Sequence, residues 1–223
     1  MAPTTKDRIL DAAERLFAER GYDATSLRAV TSEAEVNLAA AHYHFGSKVG
    51  LFQAVFERRV GAINAERLQR LAELDARRPD RQPTLEELLE AFLAPALRSS
   101  ARQDPGFALF LQIVGRSHSA TGEHVKAIQD VFRELQERFL PALQRALPHL
   151  SQEDLFWRLH FLIGSMCSVM ADPSRIKLGS GGLCRSDDPD EVLRHLVAHT
   201  AGGFRAPPPS PSPSPTAAEQ AAR

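Results

Sequence analysis

Cysteine is almost missing from this chain of 223 residues: only Cys167 and Cys184 occur, without CxxC spacing. That excludes a disulfide scaffold and a thiolate metal knuckle, and two free thiols fit a reducing, cytoplasmic compartment. An excess of charge is missing too. Lys and Arg number 27 against 28 Asp and Glu, a net charge of -1 with a pI near 6.7. That balance excludes a bulk polyanion binder, which shows a basic patch or stripe. Long apolar runs are absent. The greasiest window, Phe161 to Met170, is ten residues and contains Gly164, Ser165 and Ser168, whereas a bilayer span needs ~20 apolar residues. The start, MAPTTKDRIL, leads straight into an amphipathic pattern, so neither signal peptide nor membrane role is expected. Period-two alternation and internal repeats are also lacking, which argues against sheets and solenoids. What remains is 43 % hydrophobic and 25 % charged, the composition of a globular protein of one or two domains.

Helical periodicity fills nearly all of it. Ile9, Ala13, Leu16 and Phe17 mark a first helix, which Gly21 stops. Thr25 or Ser26 can cap a short second helix carrying Leu27 and Val30, and Asn37 a third running to about Phe45. Ser47 then opens a long helix, about 48–76, with Leu51, Phe52, Val55, Ile63, Leu71 and Leu74 on its apolar face. The charged, proline-bearing stretch 77–83 reads as a connection to a second domain. There Thr84–Glu87 forms a capping box, Asp104-Pro105 and Asp188-Pro189 set a cap before a first-turn proline, and Thr121 and Ser151 are expected to cap two more helices. Glycines 179, 181 and 182 indicate a loop between Pro173 and Asp187. From 206 to 223 a Pro/Ser tail has little to bury, so a disordered segment is expected.

The expected architecture is all-α: residues 1–50 as a three-helix module and 77–205 as a second helical domain, to which the family resemblance given below assigns DNA binding and ligand binding with dimerisation respectively. Two short helices at about 26–34 and 38–44, behind a supporting helix, have helix-turn-helix spacing, which places the second in a major groove. The runs Ala12–Gly21 (AAERLFAERG), Thr25–Arg28 (TSLR) and Tyr43–Lys48 (YHFGSK) make this specific. They resemble the DNA-binding domain of the TetR family of bacterial transcriptional regulators, over about residues 5–55.

The residues suit that role. Ala39, Ala40 and Ala41 keep the reading helix slim enough to meet thymine methyls. His42 and His44 offer ring nitrogens to phosphate or base acceptors, Tyr43 a hydroxyl, and Arg28 a fork for a base edge or backbone. Asn37 can cap its helix and touch DNA, and Thr25 and Ser26 complete the contact set. The resemblance places a phosphate-contacting cation at Lys48 and favours a phosphate contact for His44. Phe45, Val36, Leu27, Val30 and Leu16 read as core, and Leu38 as core or groove edge. One departure stands out: the family's turn carries glycine where this chain has Glu35. Either the turn differs, or the left-handed strain of ~1–2 kcal/mol and the carboxylate tune affinity down.

The second half resembles, in layout and in the run Leu155–Phe161 (LFWRLHF) with Gly164, the PsrA-type regulators of fatty-acid metabolism. That resemblance implies an apolar or acyl-type effector, a fatty acid or acyl-CoA. Candidate pocket residues are Phe92, Phe107, Phe110, Leu111, Val114, Phe132, Phe139, Trp157 and Phe161, with Arg116, Arg158 and His160 as polar anchors, although aromatics at helical spacing are commonly plain core. By the same resemblance the last two ordered helices, about 152–171 and 189–201, form a homodimer interface through Leu159, Ile163, Met166, Met170, Leu193, Leu196 and Val197. Dimerisation would set two reading helices ~34 Å apart on a palindrome.

Rival functions find less support. His195 and His199 are four apart, but no HExxH and no third ligand accompany them; Cys167 has no marked base; no GxSxG or phosphate-loop glycine pattern occurs. No cofactor is expected, and an adaptor working through the Pro/Ser tail is the weaker alternative. Residues 1–60 hold eight Lys/Arg and eight Asp/Glu, so bulk charge says nothing about the module whose pattern is clearest.

Overall fold

The computed structural model describes residues 3–77, 81–102, 104–117 and 122–209, and among them every regular element is a helix. The chain order is α1 (Thr5–Arg20), α2 (Leu27–Glu33), α3 (Leu38–Phe45), α4 (Lys48–Arg77), α5 (Leu85–Ala101), α6 (Pro105–Ser117), α7 (Glu123–Ala146), α8 (Gln152–Ala171), α9 (Ser174–Gly179) and α10 (Pro189–Arg205).

The helix starts follow the side-chain chemistry. Thr4, Thr84 and Ser151 each form a reciprocal capping box, with Asp7, Glu87 and Asp154 respectively. Each satisfies two of the N–H groups a helix end leaves unpaired. Ser26 accepts from the Ala29 amide and Asn37 from the Ala40 amide. Ser47 accepts from the Gly50 amide at the head of α4, and Asp104 from that of Gly106. Asp188, just ahead of Pro189, accepts from the Asp190 and Glu191 amides. Thr121 lies outside the described residues, as do 210–223 of the tail.

α4 is the spine. Its first half packs against α1 and α3, its remainder against α5 and α7. α10 lies along α5, α6 bridges α1 and α8, and α8 meets α10. One continuous apolar core results, from Ile9, Phe17 and Phe52 through Phe56 and Phe110 to Leu88, Leu93 and Leu155. The segment expected as a loop after Pro173 begins as α9, one and a half turns before the glycines turn the chain. No residue of α9 is buried.

Two charged clusters stitch helices together. Glu14 on α1, only 2 % exposed, receives both Arg58 and Arg59 of α4 at 2.7 and 2.5 Å, and Arg59 continues to Asp104 before α6 at 3.1 Å. The fit against α6 is close: a Cβ on Gly106 would stand 1.9 Å from the Arg59 guanidinium. In the second cluster Arg67, 3 % exposed, donates to the Phe92 carbonyl at 2.7 Å, to Asn64 at 3.1 Å and to the Met166 thioether at 3.5 Å.

Candidate nucleic-acid interface

Helix α3 buries one side and offers the other. Ala41 is fully buried and Ala40 and Phe45 pack against the core, whereas Ala39, His42, Tyr43 and His44 are exposed. Tyr43 is 86 % exposed, an uncommon position for a large aromatic that nothing covers. The slim methyl of Ala39 lies on the open side, as a helix entering a groove requires. The seat of α3 is set by α4: a Cβ on Gly50 would come within 2.2 Å of the Phe45 carbonyl oxygen, so only glycine permits this approach.

The flanking residues separate into two groups. Arg28 and Ser26 on and before α2, and Asn37 before α3, are exposed. Asn37 uses its carbonyl for the cap and keeps its amide N–H groups outward. Thr25, expected at the DNA, turns inward instead. It is 1 % exposed and its hydroxyl donates to the Gly21 carbonyl at 2.8 Å and the Leu16 carbonyl at 3.2 Å. Its work is to brace the entry to α2, out of reach of a phosphate.

His42 has its chemistry partly decided. Its Nδ1 lies 2.9 Å from the Gly46 carbonyl, so that nitrogen carries the proton and donates. On the neutral ring Nε2 is then an acceptor. With Nδ1 donating to the Gly46 carbonyl, His42 suits a base donor, adenine N6 or cytosine N4, rather than the phosphate or base acceptors expected from sequence. Lys48, at the first turn of α4, stands over the Tyr22 ring at 4.1 Å and donates to the Asp23 carbonyl at 3.4 Å. The ring face holds the ammonium in place, and ammonium and helix N-terminus together favour an anion beside it.

The turn before α3 resolves the question posed by Glu35. Its φ is 51°, the one non-glycine positive φ among the described residues, so the left-handed turn is kept without glycine. Arg8 of α1 holds it, donating to the Glu35 carbonyl at 3.2 Å and approaching its carboxylate at 3.5 Å.

The residues expected to line an effector pocket do not converge. Phe92, Phe107, Phe110 and Phe139 are buried core, and Phe132 packs partly buried against it. Trp157 and Phe161, 56 and 62 % exposed, stack on each other on the open side of α8, with His160 beside them. Arg158 is already engaged, donating to the Gly203 and Ala206 carbonyls at the end of α10. Leu111 and Val114 of α6 do line an apolar cavity of about 330 Å³, closed by Gly115 and by Gly164, Cys167, Ser168 and Ala171 of α8. Arg116 lines a separate cavity of about 310 Å³ with Tyr22 and His124. A larger cleft of about 620 Å³ between α4 and α5 is walled by Glu66, Glu73, Glu87, Glu90 and Arg70, a surface hostile to an acyl chain.

The expected dimer residues divide likewise. Met166, Met170, Leu193 and Leu196 are buried within one chain, Leu159 and Val197 half-buried, and Ile163 exposed. Sequence reasoning missed Phe156, 47 % exposed on the same side of α8. It also missed buried Arg67, which periodicity hides because an arginine inside an apolar stripe looks like a register slip.

No group of three metal-ligating side chains occurs among the described residues, and no described helix is long and apolar enough to cross a membrane. Residues 9–55 match the family model for bacterial regulatory proteins of the tetR family, and residues 90–203 that for the tetracyclin repressor-like C-terminal domain. Two curated relatives are similar in the first segment. The probable HTH-type transcriptional regulator YttP of Bacillus subtilis is 40 % identical over 53 residues, 24 % of this chain and 26 % of that protein. The biofilm operon icaADBC HTH-type negative transcriptional regulator IcaR of Staphylococcus aureus is 40 % identical over 48 residues, 22 % of this chain and 26 % of that protein. The likeness thus spans about a quarter of each relative's length. Among solved structures, the fatty acid degradation regulator FadR from Bacillus halodurans superposes with a TM-score of 0.55 at 16 % identity, covering 89 % of this chain and 99 % of that one. The hemolysin II transcriptional regulator HlyIIR does so at 0.51 and 20 %, covering 87 and 96 %. At such identities the likeness is one of fold.

Proposed function

Since the chain belongs to the TetR family of DNA-binding transcriptional regulators, we propose that it is a homodimeric repressor of the PsrA-type subgroup, reading a palindromic operator and released by an apolar or acyl-type effector. The observation that carries the reading is the outward face of α3, where Ala39, His42, Tyr43 and His44 stand exposed on a helix seated by Gly50. Ser26, Arg28, Asn37 and Lys48 flank it as backbone contacts. Such contacts fix register while the α3 side chains select bases.

The dimer face follows from what one chain leaves uncovered. Phe156, Trp157, Phe161 and Ile163 of α8 are exposed, and α10 exposes Ala198, Gly202 and Gly203. Aromatic anchors with small residues that allow close helix approach make a four-helix interface between two copies. The effector enters the second domain, where the apolar cavity between α6 and α8 is the space an alkyl chain fits. Cytoplasmic residence accompanies this function. The names of the fatty acid degradation regulator and of the negative regulator support the effector class and the sign of control, each by analogy.

Gel-shift titration of the protein's own promoter region, with and without acyl ligands, tests the reading. A sequence-specific shift relieved by ligand is expected, and His42→Ala changes base preference. Absence of any specific shift at low salt would overturn it.

A further inference from the structure

The outward face of α8 divides by size. Trp157, His160, Phe161, Gly164, Ser168 and Ala171 are all exposed, and at the helical repeat they fall within about 100° of arc. The first half of this face is bulky: Trp157 and Phe161 stack on each other, with His160 beside them. The second half is small, and Gly164, Ser168 and Ala171, with Cys167, wall the apolar cavity of about 330 Å³ that α8 shares with α6. The cavity thus opens on the face that carries the aromatics, further along the same helix.

Two of its wall residues are glycines that their own chain does not require. A Cβ on Gly115 or on Gly164 would meet nothing within 4 Å, although glycine inside a helix is destabilising. Room of that kind serves something arriving from outside. A two-fold contact sets residue i of one copy on j of the other, and j on i. Where two α8 helices cross antiparallel at Gly164, positions equidistant from it meet. Trp157 then comes to the partner's Ala171 and Phe161 to the partner's Cys167, bulk onto small. His160 comes to the partner's Ser168, whose hydroxyl gives the imidazole the hydrogen-bond partner a covered polar group needs. The exposed carboxylate of Glu153 approaches the partner's Arg175, just beyond the end of α8. A parallel pairing would set bulk against bulk and leave both glycine surfaces open.

We infer that the dimer joins the two α8 helices antiparallel with their crossing at Gly164, so that the partner's Trp157 and the partner's Phe161 close the mouth of the apolar cavity. The effector site is then completed by the second copy. This rests on the proposed dimer and effector cavity, and adds to them a register and two wall residues. With Phe156 and Ile163 alongside, the aromatics leave on the order of 400 Å² of apolar side chain open per chain, a patch of the size that marks an interaction surface. The exposed Ala198, Gly202 and Gly203 of α10 continue it.

Disulfide trapping in the full chain carrying Cys167→Ala and Cys184→Ala tests the crossing. A residue at the two-fold axis faces its own copy, so Gly164→Cys is expected to oxidise to a covalent dimer. Ala171→Cys, about 21 Å from its own copy along the helix pair, is too far to bridge and stays monomeric on non-reducing gels. Titration with the apolar fluorophore N-phenyl-1-naphthylamine tests the closure. Trp157 and Phe161 do not line their own chain's cavity, so Trp157→Glu with Phe161→Glu weakens probe binding, by about tenfold, through the missing wall of the partner. In a chain that sediments as a dimer, trapping through neither cysteine, or through Ala171→Cys as readily as Gly164→Cys, overturns the register alone. Probe binding unchanged in the double variant overturns the closure. A wild type that sediments as a monomer at every concentration overturns the crossing and the dimer reading beneath it, and one that binds no probe overturns the closure and the effector cavity together.

Discussion

Glu35 sits at φ 51°, where any side chain with a Cβ costs ~1–2 kcal/mol and glycine costs nothing. Its carboxylate is exposed in the turn before α3, the proposed reading helix, and pairs with Arg8 at 3.5 Å, an exposed pair worth little. Glu35→Gly is therefore expected to raise stability by about 1 kcal/mol, read as a higher denaturant midpoint at constant slope, and to tighten DNA binding. A lower midpoint would show that the Arg8 tether outweighs the strain. Lys48 makes the complementary case. Perched over Tyr22 beside a helix N-terminus, it is placed, on the proposed reading, to meet phosphate rather than a base. Lys48→Ala should weaken binding to all sequences alike and reduce the slope of log affinity against log salt by about 1. A loss confined to particular operators would contradict that role.

Helices α8 and α10 show where sequence legibility ended. Their existence, caps and starts are readable, because Ser151–Asp154 and Asp188–Pro189 are local signals and the apolar residues recur at helical spacing, although α10 runs on to Arg205, past the expected end at about 201. Which apolar stripe faces what is not. α8 carries two: Leu155, Leu162, Met166 and Met170 point into its own core, while Phe156, Trp157, Phe161 and Ile163 point out. The sequence reading gives Met166 and Met170, which are buried in their own core, to the dimer together with the exposed Ile163, and gives the outer aromatics Trp157 and Phe161 to the pocket. Periodicity gives the width of an apolar face but not the identity of the neighbour covering it. The reading helix was more legible because its character is set by what it lacks, bulk at Ala39–Ala41, and by a cap at Asn37. The structure's division of α8 has a consequence: Trp157→Glu with Phe161→Glu should leave one chain's core and its melting cooperativity intact but abolish self-association in sedimentation equilibrium. A double variant that remains dimeric would place the interface elsewhere.

At the scale of the molecule, α6 joins the two halves. Leu111 and Val114 near its end line the apolar cavity, while its start is held to the DNA-reading module through Asp104, Arg59 and Glu14 of α1. Helix α7 makes a second junction, with Glu123 accepting from Tyr22 at 3.1 Å and His124 stacked on that ring at 4.2 Å. His124 Nε2 is buried with no hydrogen-bond partner. Tyr22 is itself the ring under Lys48, so the α7 junction ends beside a proposed DNA contact. A ligand that wedges α6 from α8 would move the start of α6 only if that end is tied to α1, because coupling needs an element whose position both sites bias. Cutting the tie separates binding from response. Arg59→Met leaves Glu14 paired with Arg58, so the fold should survive. Ligand should still raise the melting temperature, while the ligand-induced loss of operator affinity, of order 5–150-fold in coupled systems, shrinks to about twofold. Fluorescence anisotropy on operator DNA, with and without ligand, measures this. A full response from Arg59→Met would assign the signal to the Tyr22–His124 junction instead.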